Sequence, residues 1–246
     1  MIKKCLVLSG GGCRGFAHLG VIKALQEHNI HPSAICGTSA GAIAGAFIAN
    51  GFTPDEVMEL FNSKFKLSSF ALASFKLGLL SMKTIREFLQ KNLRITKFEE
   101  LPIPFYVTAT NFNNGAQTIF NTGNIIDAVI ASSSIPVVFP AFLIDGIPYV
   151  DGAVSNNLPV EPFADRKSEV IAVYVDPTKP FNPKGSMAET MDRAIHLSFR
   201  KLVDSSSAGC YLHIEPTELN KFGLFDLHKA SDIFTIGYNY TNELLK

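Results

Sequence analysis

Residues 37–41 constrain the fold of this chain more than any other short segment. They read Gly-Thr-Ser-Ala-Gly, and the pattern Gly-x-Ser-x-Gly is typical of a sharp turn that joins a strand to a helix and exposes the serine. The flanking residues fit that context, because the apolar run at 33–36 suits a buried strand and residues 40–49 suit a helix. The pattern also arises by chance in chains rich in glycine and serine. Ser39 is therefore a candidate nucleophile that needs independent support.

The rest of the chain alternates between strand-like and helix-like segments. Strands are predicted at 5–9, 34–36, 103–110, 115–120, 143–144, 148–150, 169–175 and 210–214, and helices at 15–28, 40–49, from 53 onward, 124–132, 187–203 and 231–244. Alternation of this kind predicts an α/β protein with a mostly parallel sheet covered on both faces. Since 47% of the residues are hydrophobic and no repeat or linker is visible, we expect one domain over residues 1–246.

One segment, residues 61–82, has an unusual composition. It carries four phenylalanines and five leucines, interrupted by three lysines. Two interpretations are open: a pair of helices that face the core, or an apolar flap that covers an active site or rests on a lipid surface. Lysines between phenylalanines fit both.

Charge and cysteine usage narrow the class of protein. The 22 basic and 22 acidic residues balance, so no global field favours a nucleic-acid partner. The four cysteines lack metal-ligand spacing, and we expect neither a metal nor another cofactor. No apolar run approaches the roughly 18 residues of a membrane span, and the N-terminal apolar run is too short for a signal peptide. We expect a cytoplasmic protein, with peripheral membrane contact left open; the residues indicate no oligomeric state.

A glycine-rich loop at residues 10–15 follows the first predicted strand. Its sequence, Gly-Gly-Gly-Cys-Arg-Gly, satisfies the dinucleotide fingerprint Gly-x-Gly-x-x-Gly. That fingerprint requires an acidic residue about 20 positions further on, for the ribose hydroxyl. No Asp or Glu lies between His28 and Gly51. The dinucleotide interpretation therefore lacks the acidic residue that would bind the ribose.

The same loop has another use beside a nucleophilic serine. Consecutive glycines before a helix expose backbone N–H groups that bind anions, and here the anion would be the oxyanion of a tetrahedral intermediate. We expect Gly11 and Gly12 to donate, with the N–H of Ala40 as an addition, each donor being worth about 3–4 kcal/mol in the transition state. Arg14 has two open roles: it orients the loop or adds positive potential, or it is an ordinary structural or exposed cation.

A serine hydroxyl needs a base to accept its proton. None of the six histidines lies in a recognisable triad context: His18, His28, His31, His196, His213 and His228. Asp151 instead ends an apolar strand and precedes a glycine. A carboxylate in water has a pKa near about 3.9 and is a poor base, but burial beside the serine would raise that pKa. Because Asp-Gly is also a common turn dipeptide, this assignment depends on the neighbouring motifs.

Taken together, the motifs resemble the patatin-like phospholipases. Residues 10–15 look like the oxyanion loop of that family, residues 37–41 like its nucleophile elbow and residues 151–153 like its catalytic aspartate motif, all in the family's order. Residues 131–136 with 139–140, and residues 156–160, look like further family blocks. The resemblance covers roughly residues 5–175, and little beyond residue 176 resembles the family.

The resemblance implies a three-layer α/β/α sandwich that cleaves fatty-acyl esters of phospholipids or lysophospholipids without metal or calcium. It implies a catalytic dyad of Ser39 and Asp151. Gly37 and Gly41 would form the elbow. The oxyanion loop would consist of Gly10, Gly11, Gly12, Arg14 and Gly15. Cys13 is interpreted as a tolerated loop residue. The alternative is a catalytically weak lipid-sensing or regulatory protein on the same fold, and a nucleotide-binding enzyme is a distant third.

Overall fold

A computed structural model describes residues 1–65, 82–178, 181, 183 and 187–246. Within these ranges helices and strands are interspersed along the chain, although three helices follow β2 in succession and some strands follow one another directly. They are β1 (Ile2–Leu8), α1 (Phe16–Glu27), β2 (Ile30–Thr38), α2 (Ala40–Ala49), α3 (Pro54–Phe65), α4 (Met82–Asn92), β3 (Phe105–Asn111), β4 (Gln117–Phe120), α5 (Ile125–Ser132), β5 (Phe142–Ile144), β6 (Ile147–Asp151), β7 (Val170–Val173), α6 (Met187–Ser207), β8 (Leu212–Ile214) and α7 (Ala230–Leu244).

All eight of these strands join one mixed, mostly parallel sheet. Strands β8, β7, β1, β2 and β3 are parallel neighbours in that order, while β4 and β6 pair antiparallel with β3, and β5 pairs with β6. Helices flank the sheet, which confirms the predicted α/β sandwich. No helix within the described ranges is long and apolar enough to cross a membrane.

The central strands bury side chains on both faces, which explains their nearly continuous apolar sequence. In β1, Leu6 and Leu8 belong to one hydrophobic core, whereas Cys5 and Val7 belong to another. Successive side chains of a strand point to opposite faces, so this division places one core on each side of the sheet.

The ends of β2 and β6 meet beside β3. Strand β2 pairs with residues 105–108 of β3, and β6 pairs with residues 109–111. Because β4 pairs with residues 107–110 and overlaps both stretches, β4 must lie along the opposite edge of β3. Strands β2 and β6 therefore occupy successive stretches of one edge and run toward each other. Thr38 pairs with Thr108, and Asp151 with the next residue, Ala109.

Two local signals of the sequence are confirmed: the spacing of Thr53 and Glu56, which predicts a capping box, and the dipeptide Asp145-Gly146, which predicts a hairpin turn. The N–H of Thr53 donates to Glu56 Oε2 at 2.7 Å, and the N–H of Glu56 donates to Thr53 Oγ1 at 3.2 Å, which completes the predicted capping box. Asp145 and Gly146 both have positive φ, as a tight hairpin turn requires.

The observed boundaries of helices and strands differ from the predicted ones, although most of the elements themselves are those predicted. Strand β2 spans nine residues where three were predicted, because its parallel register with β1 begins at Ile30 and includes Pro32. Helix α1 begins at Phe16, after a 3₁₀ turn at Gly12–Gly15, and not at Gly15.

In the segment 61–82, the ring of Phe61 packs at 4.7 Å from that of Phe88. Residues 66–81, on which the choice between core helices and flap depends, lie outside the described residues.

Val137 has a strained backbone on the protein surface. Its φ is 72° and its side chain is fully exposed. A β-branched residue is an outlier at positive φ, whereas asparagine tolerates it. We expect Val137→Asn to raise the free energy of unfolding by about 1 kcal/mol, measured by urea denaturation. Val137→Thr is the control, because threonine is polar but keeps the branched Cβ. If the free energy of unfolding rose equally in both variants, the gain would come from polarity and not from relief of backbone strain.

Candidate active site

Ser39 lies at the sharp turn between β2 and α2. Its backbone φ of 52° and ψ of −118° are unusual for a residue with a side chain. Its N–H donates to Ser132 Oγ at 2.8 Å, and that hydroxyl donates to the carbonyl of Thr108 at 2.6 Å. Ser132 thus ties the strained turn to β3 from the end of α5.

The two glycines of the elbow lie where the turn packs tightly. A β-carbon on Gly41 would lie 2.2 Å from the carbonyl oxygen of Leu8, and one on Gly37 would lie 2.5 Å from the carbonyl oxygen of Gly41. No side chain fits at these distances, so Gly41 lets the elbow approach β1 and Gly37 lets the end of β2 approach the start of α2.

Asp151 is in direct contact with Ser39. Ser39 Oγ donates to Asp151 Oδ2 at 2.6 Å, and the N–H of Ala153 donates to Asp151 Oδ1 at 2.9 Å. The backbone of Asp151 is held on both sides, since its N–H donates to the carbonyl of Ser134 and its carbonyl accepts from Thr110 Oγ1, both at 2.9 Å. Side chain and backbone are therefore fixed in the orientation that meets the serine.

The environment of Asp151 changes its acidity. Both Ser39 and Asp151 are buried. Burial raises the pKa of Asp151 to about 6, against the opposing effect of the hydrogen bonds from Ser39 and Ala153. A carboxylate with this pKa is a stronger base than one in water and is ionised at neutral pH.

The glycine-rich loop lies beside the elbow. A β-carbon on Gly15 would lie 2.6 Å from Ala40 Cβ, which shows how closely the two segments pack. The N–H of Gly10 donates to Asn157 Oδ1 at 2.8 Å, so Gly10 anchors the loop and is not an open donor. The N–H groups of Gly11 and Gly12 have no acceptor among the described residues. They are the loop donors that remain for a ligand.

The loop is also held by distant residues that precede α7. The N–H of Cys13 donates to the carbonyl of Leu224 at 2.9 Å, and Cys13 Sγ donates to the carbonyl of Gly223 at 3.0 Å. Burial raises the pKa of the Cys13 thiol to about 11, so the thiol is neutral near pH 7. Cys13 therefore acts here as a hydrogen-bonding loop residue.

Arg14 is a buried cation that orients the loop. Its side chain is 2% exposed, its Nε donates to the carbonyl of Gly11 at 3.1 Å, and its guanidinium lies 2.5 Å from a carboxylate oxygen of Asp176. Asp176 follows β7 and is itself buried. Of the roles considered for Arg14, this geometry favours holding the loop.

An apolar cleft opens at Ser39. Its empty space totals about 990 Å³, including the open mouth. The residues that line it include the polar residues Ser39, Thr84 and Ser133 and the loop residue Gly12. The remainder is mostly hydrocarbon and aromatic, and includes Phe16, Leu19, Ile43, Val57, Phe61, Ile85, Phe88, Ile135, Phe139, Leu224 and Phe225. Such a lining suits a fatty-acyl chain.

No histidine lines this cleft in the part of the chain that the structure describes. His18, which is nearest in sequence to the glycine loop, is fully buried, and its Nε2 is hydrogen-bonded to the carbonyl of Ser9 at 2.8 Å. Burial lowers the pKa of His18 to about 4, so it is neutral at pH 7 and supports the end of β1.

Four residues that contribute to the site carried no assigned role in the sequence. They are Ser132, Ser133, Asn157 and Asp176. The first three are polar residues in or beside apolar segments, which is a signal for buried hydrogen bonds. Only the folded arrangement reveals their partners.

Sequence comparison finds a matching family model and similar proteins. The family model described as "Patatin-like phospholipase" matches residues 6–164. The chain is 31% identical, over 82% of its length, to the uncharacterized NTE family protein Rv1063c of Mycobacterium tuberculosis and covers 58% of that protein. It is 26% identical to the lysophospholipase NTE1 of Kluyveromyces lactis over 98% of this chain. It spans only about a fifth, 19%, of that relative's length.

Solved structures share the fold. VipD from Legionella pneumophila matches 98% of the chain with a TM-score of 0.60 and 18% identity, and the match covers 66% of VipD. ExoU in its complex with SpcU from Pseudomonas aeruginosa matches 98% of the chain with a TM-score of 0.51 and 17% identity, over 51% of that chain. At these identities the likeness concerns the fold alone.

Proposed function

The chain belongs to the patatin-like phospholipase family, and from this premise we propose that it hydrolyses fatty-acyl esters of phospholipids or lysophospholipids through Ser39 and Asp151. The observation that carries the proposal is the 2.6 Å hydrogen bond from Ser39 Oγ to Asp151 Oδ2 beside an apolar cleft. A buried hydroxyl bonded to a buried carboxylate is the arrangement from which a proton can pass as the oxygen attacks.

In the first half of the reaction, Asp151 accepts the proton of Ser39 as Oγ attacks the ester carbonyl. The N–H groups of Gly11 and Gly12 donate to the oxyanion that forms. The intermediate then collapses, the bond to the alcohol breaks, and Asp151 returns its proton to the departing alkoxide. The acyl group stays on Ser39 as an ester.

In the second half, water replaces the alcohol. Asp151 accepts a proton from this water, whose oxygen attacks the acyl-enzyme carbonyl beside the same donors. Collapse releases the fatty acid and returns the proton to Ser39 Oγ. No histidine takes part, so both halves depend on the raised pKa of Asp151.

The cleft supports an acyl ester as substrate. Phe16, Phe61 and Phe88, from α1, α3 and α4, line it, and the ring of Phe61 packs against the other two rings. The contacts of such a lining with an acyl chain are apolar and non-directional, so we expect esters of several chain lengths to be accepted. We also propose that residues 1–246 act as one domain and that the cleft takes its substrate from a lipid surface.

Two measurements test the proposal. A fluorophosphonate probe should label Ser39 and should not label Ser39→Ala. Mass spectrometry of products from a mixed lipid panel should detect free fatty acids and the matching lysolipid or glycerophosphodiester. Binding of lipid without labelling or product would favour the lipid-sensing alternative.

The pH dependence of turnover should report the ionisation of Asp151. The carboxylate must be deprotonated to act as a base, so activity falls as pH falls through the pKa of about 6. We expect kcat/KM for a short soluble p-nitrophenyl ester to be half-maximal near pH 6. Circular dichroism at each pH controls for unfolding. A midpoint near about pH 4, the ordinary value of a carboxyl group, would contradict the raised pKa.

A further inference from the structure

Three consecutive serines follow one another at the end of α5, and two of them have clear partners. Ser132 Oγ accepts from the N–H of Ser39 at 2.8 Å. Ser134 Oγ donates to the carbonyl of Ile130 at 2.8 Å, and its carbonyl accepts from the N–H of Asp151 at 2.9 Å. Ser133, between them, is one of the residues that line the apolar cleft.

Ser133 Oγ is buried and has no hydrogen-bond partner among the described residues. The residue is only 5% exposed. Leaving a hydroxyl buried and unpaired costs stability, so such a group in a folded protein needs an explanation. Its position in the lining of a cleft beside Ser39 suggests that a bound molecule supplies the missing partner.

The part of an ester substrate that could pair with Ser133 is limited by chemistry. A hydrocarbon chain offers no hydrogen bond, and Ile135 and Phe139, which also line the cleft, already suit that chain. The oxyanion is assigned to Gly11 and Gly12. The alcohol half of the substrate is therefore the part that lacks a polar partner.

The position of Ser133 in the chain also fits the alcohol half. Its Cα lies about 3.8 Å from that of Ser134, whose carbonyl holds the backbone of Asp151. Asp151 is the group that returns the proton to the departing alcohol in the proposed reaction. Ser133 thus belongs to the same short segment that places the proton donor for the leaving group.

We propose that Ser133 Oγ binds a hydroxyl group adjacent to the scissile ester in the alcohol half of the substrate. The site then prefers acyl esters with a vicinal hydroxyl, as in a glycerol carrying a single acyl chain, to simple alkyl esters. This inference rests on the proposed acyl hydrolysis and adds the feature of the alcohol that the site recognises.

The test compares two esters of the same fatty acid, 2-hydroxypropyl decanoate and propyl decanoate. Ser133→Ala should lower kcat/KM for the hydroxypropyl ester about tenfold and change kcat/KM for the propyl ester less than about twofold. Ser206→Ala, a buried serine in α6 outside the cleft lining, is the matched control and should change neither. Equal losses for both esters, or no loss for either, would overturn the proposal.

Two further measurements separate the possible failures. Calorimetric titration with the non-hydrolysable ether 1-O-decylglycerol should give a Kd about tenfold weaker for Ser133→Ala, while decyl propyl ether should bind both proteins equally. If the wild-type protein cleaves neither ester, the proposed hydrolysis fails, and this titration still decides the role of Ser133. The urea midpoint of Ser133→Ala should not fall, because the hydroxyl has no partner in the free protein; a lower midpoint would indicate a structural role instead.

Discussion

Replacement of Ser39 by alanine or of Asp151 by asparagine should each lower kcat/KM for an acyl ester by about a thousandfold or more. Ser39→Ala removes the attacking oxygen. Asp151→Asn preserves the shape of the side chain but removes the group that accepts the proton. The two losses should not add in the double variant, because both residues serve one proton transfer. Hydrolysis of a p-nitrophenyl ester at pH 8 measures the effect, with Ser206→Ala as a buried serine control.

The stability of Asp151→Asn should distinguish a lost base from a damaged fold. The pKa of Asp151 is about 6 in the folded protein and about 3.9 in the unfolded chain. Its stabilising contribution is therefore greatest below about pH 4 and is lost as pH rises through about 6. At pH 8 the buried ionised carboxylate disfavours folding by roughly 2–3 kcal/mol, which the neutral amide avoids. We expect Asp151→Asn to be inactive and at least as stable as wild type at pH 8; a lower urea midpoint would contradict this.

The second large effect should come from the buried ion pair behind the glycine loop. Arg14→Met removes the guanidinium that faces the carboxylate of Asp176 and the carbonyl of Gly11. Removing one partner of a buried pair costs about 3–5 kcal/mol, because the remaining charge is left in a poor environment. We expect urea denaturation to give a free energy of unfolding that is lower by this amount. We also expect a large fall in kcat/KM, because the loop loses its support.

A double variant separates the two effects. Arg14→Met with Asp176→Leu replaces the ion pair with apolar side chains, which is often neutral for stability. Much of the lost stability should return, while kcat/KM should stay low because the carbonyl of Gly11 then keeps only the bond from the backbone N–H of residue 14 and loses the one from the Arg14 side chain. If the double variant were no more stable than Arg14→Met, or if Arg14→Met were as stable as wild type, the ion pair would not have the role assigned to it.

The features that the sequence predicts well are those determined by local backbone conformation. The elbow, the glycine loop, the capping box at Thr53 and the turn at Asp145 each require particular residues at close spacing. The contact between Ser39 and Asp151 has a different origin. It depends on how β2 and β6 share one edge of β3, and that register is not encoded in either strand alone.

The partners that support the site could not be predicted, because they join residues far apart in the chain. The bond between Ser132 and Ser39 spans 93 residues, and that between Gly10 and Asn157 spans 147. The roles of Arg14 and Gly10 also depend on such bonds: the sequence placed both in the oxyanion loop, and only the fold indicates that both hold it in place. Burial, which sets the pKa of Asp151, likewise results from the whole sheet and its helices.

The attachment of the glycine loop to Gly223 and Leu224 has a consequence for how the protein is made. The bond from Cys13 Sγ to Gly223 joins residues 210 positions apart. Because a chain leaves the ribosome from its N-terminus, Ser39 and Asp151 emerge well before Gly223 and Leu224. A nascent chain would have its nucleophile and base before the last contacts that hold the oxyanion loop. Hydrolytic competence should thus arise late in synthesis, so that few incomplete chains can attack lipid.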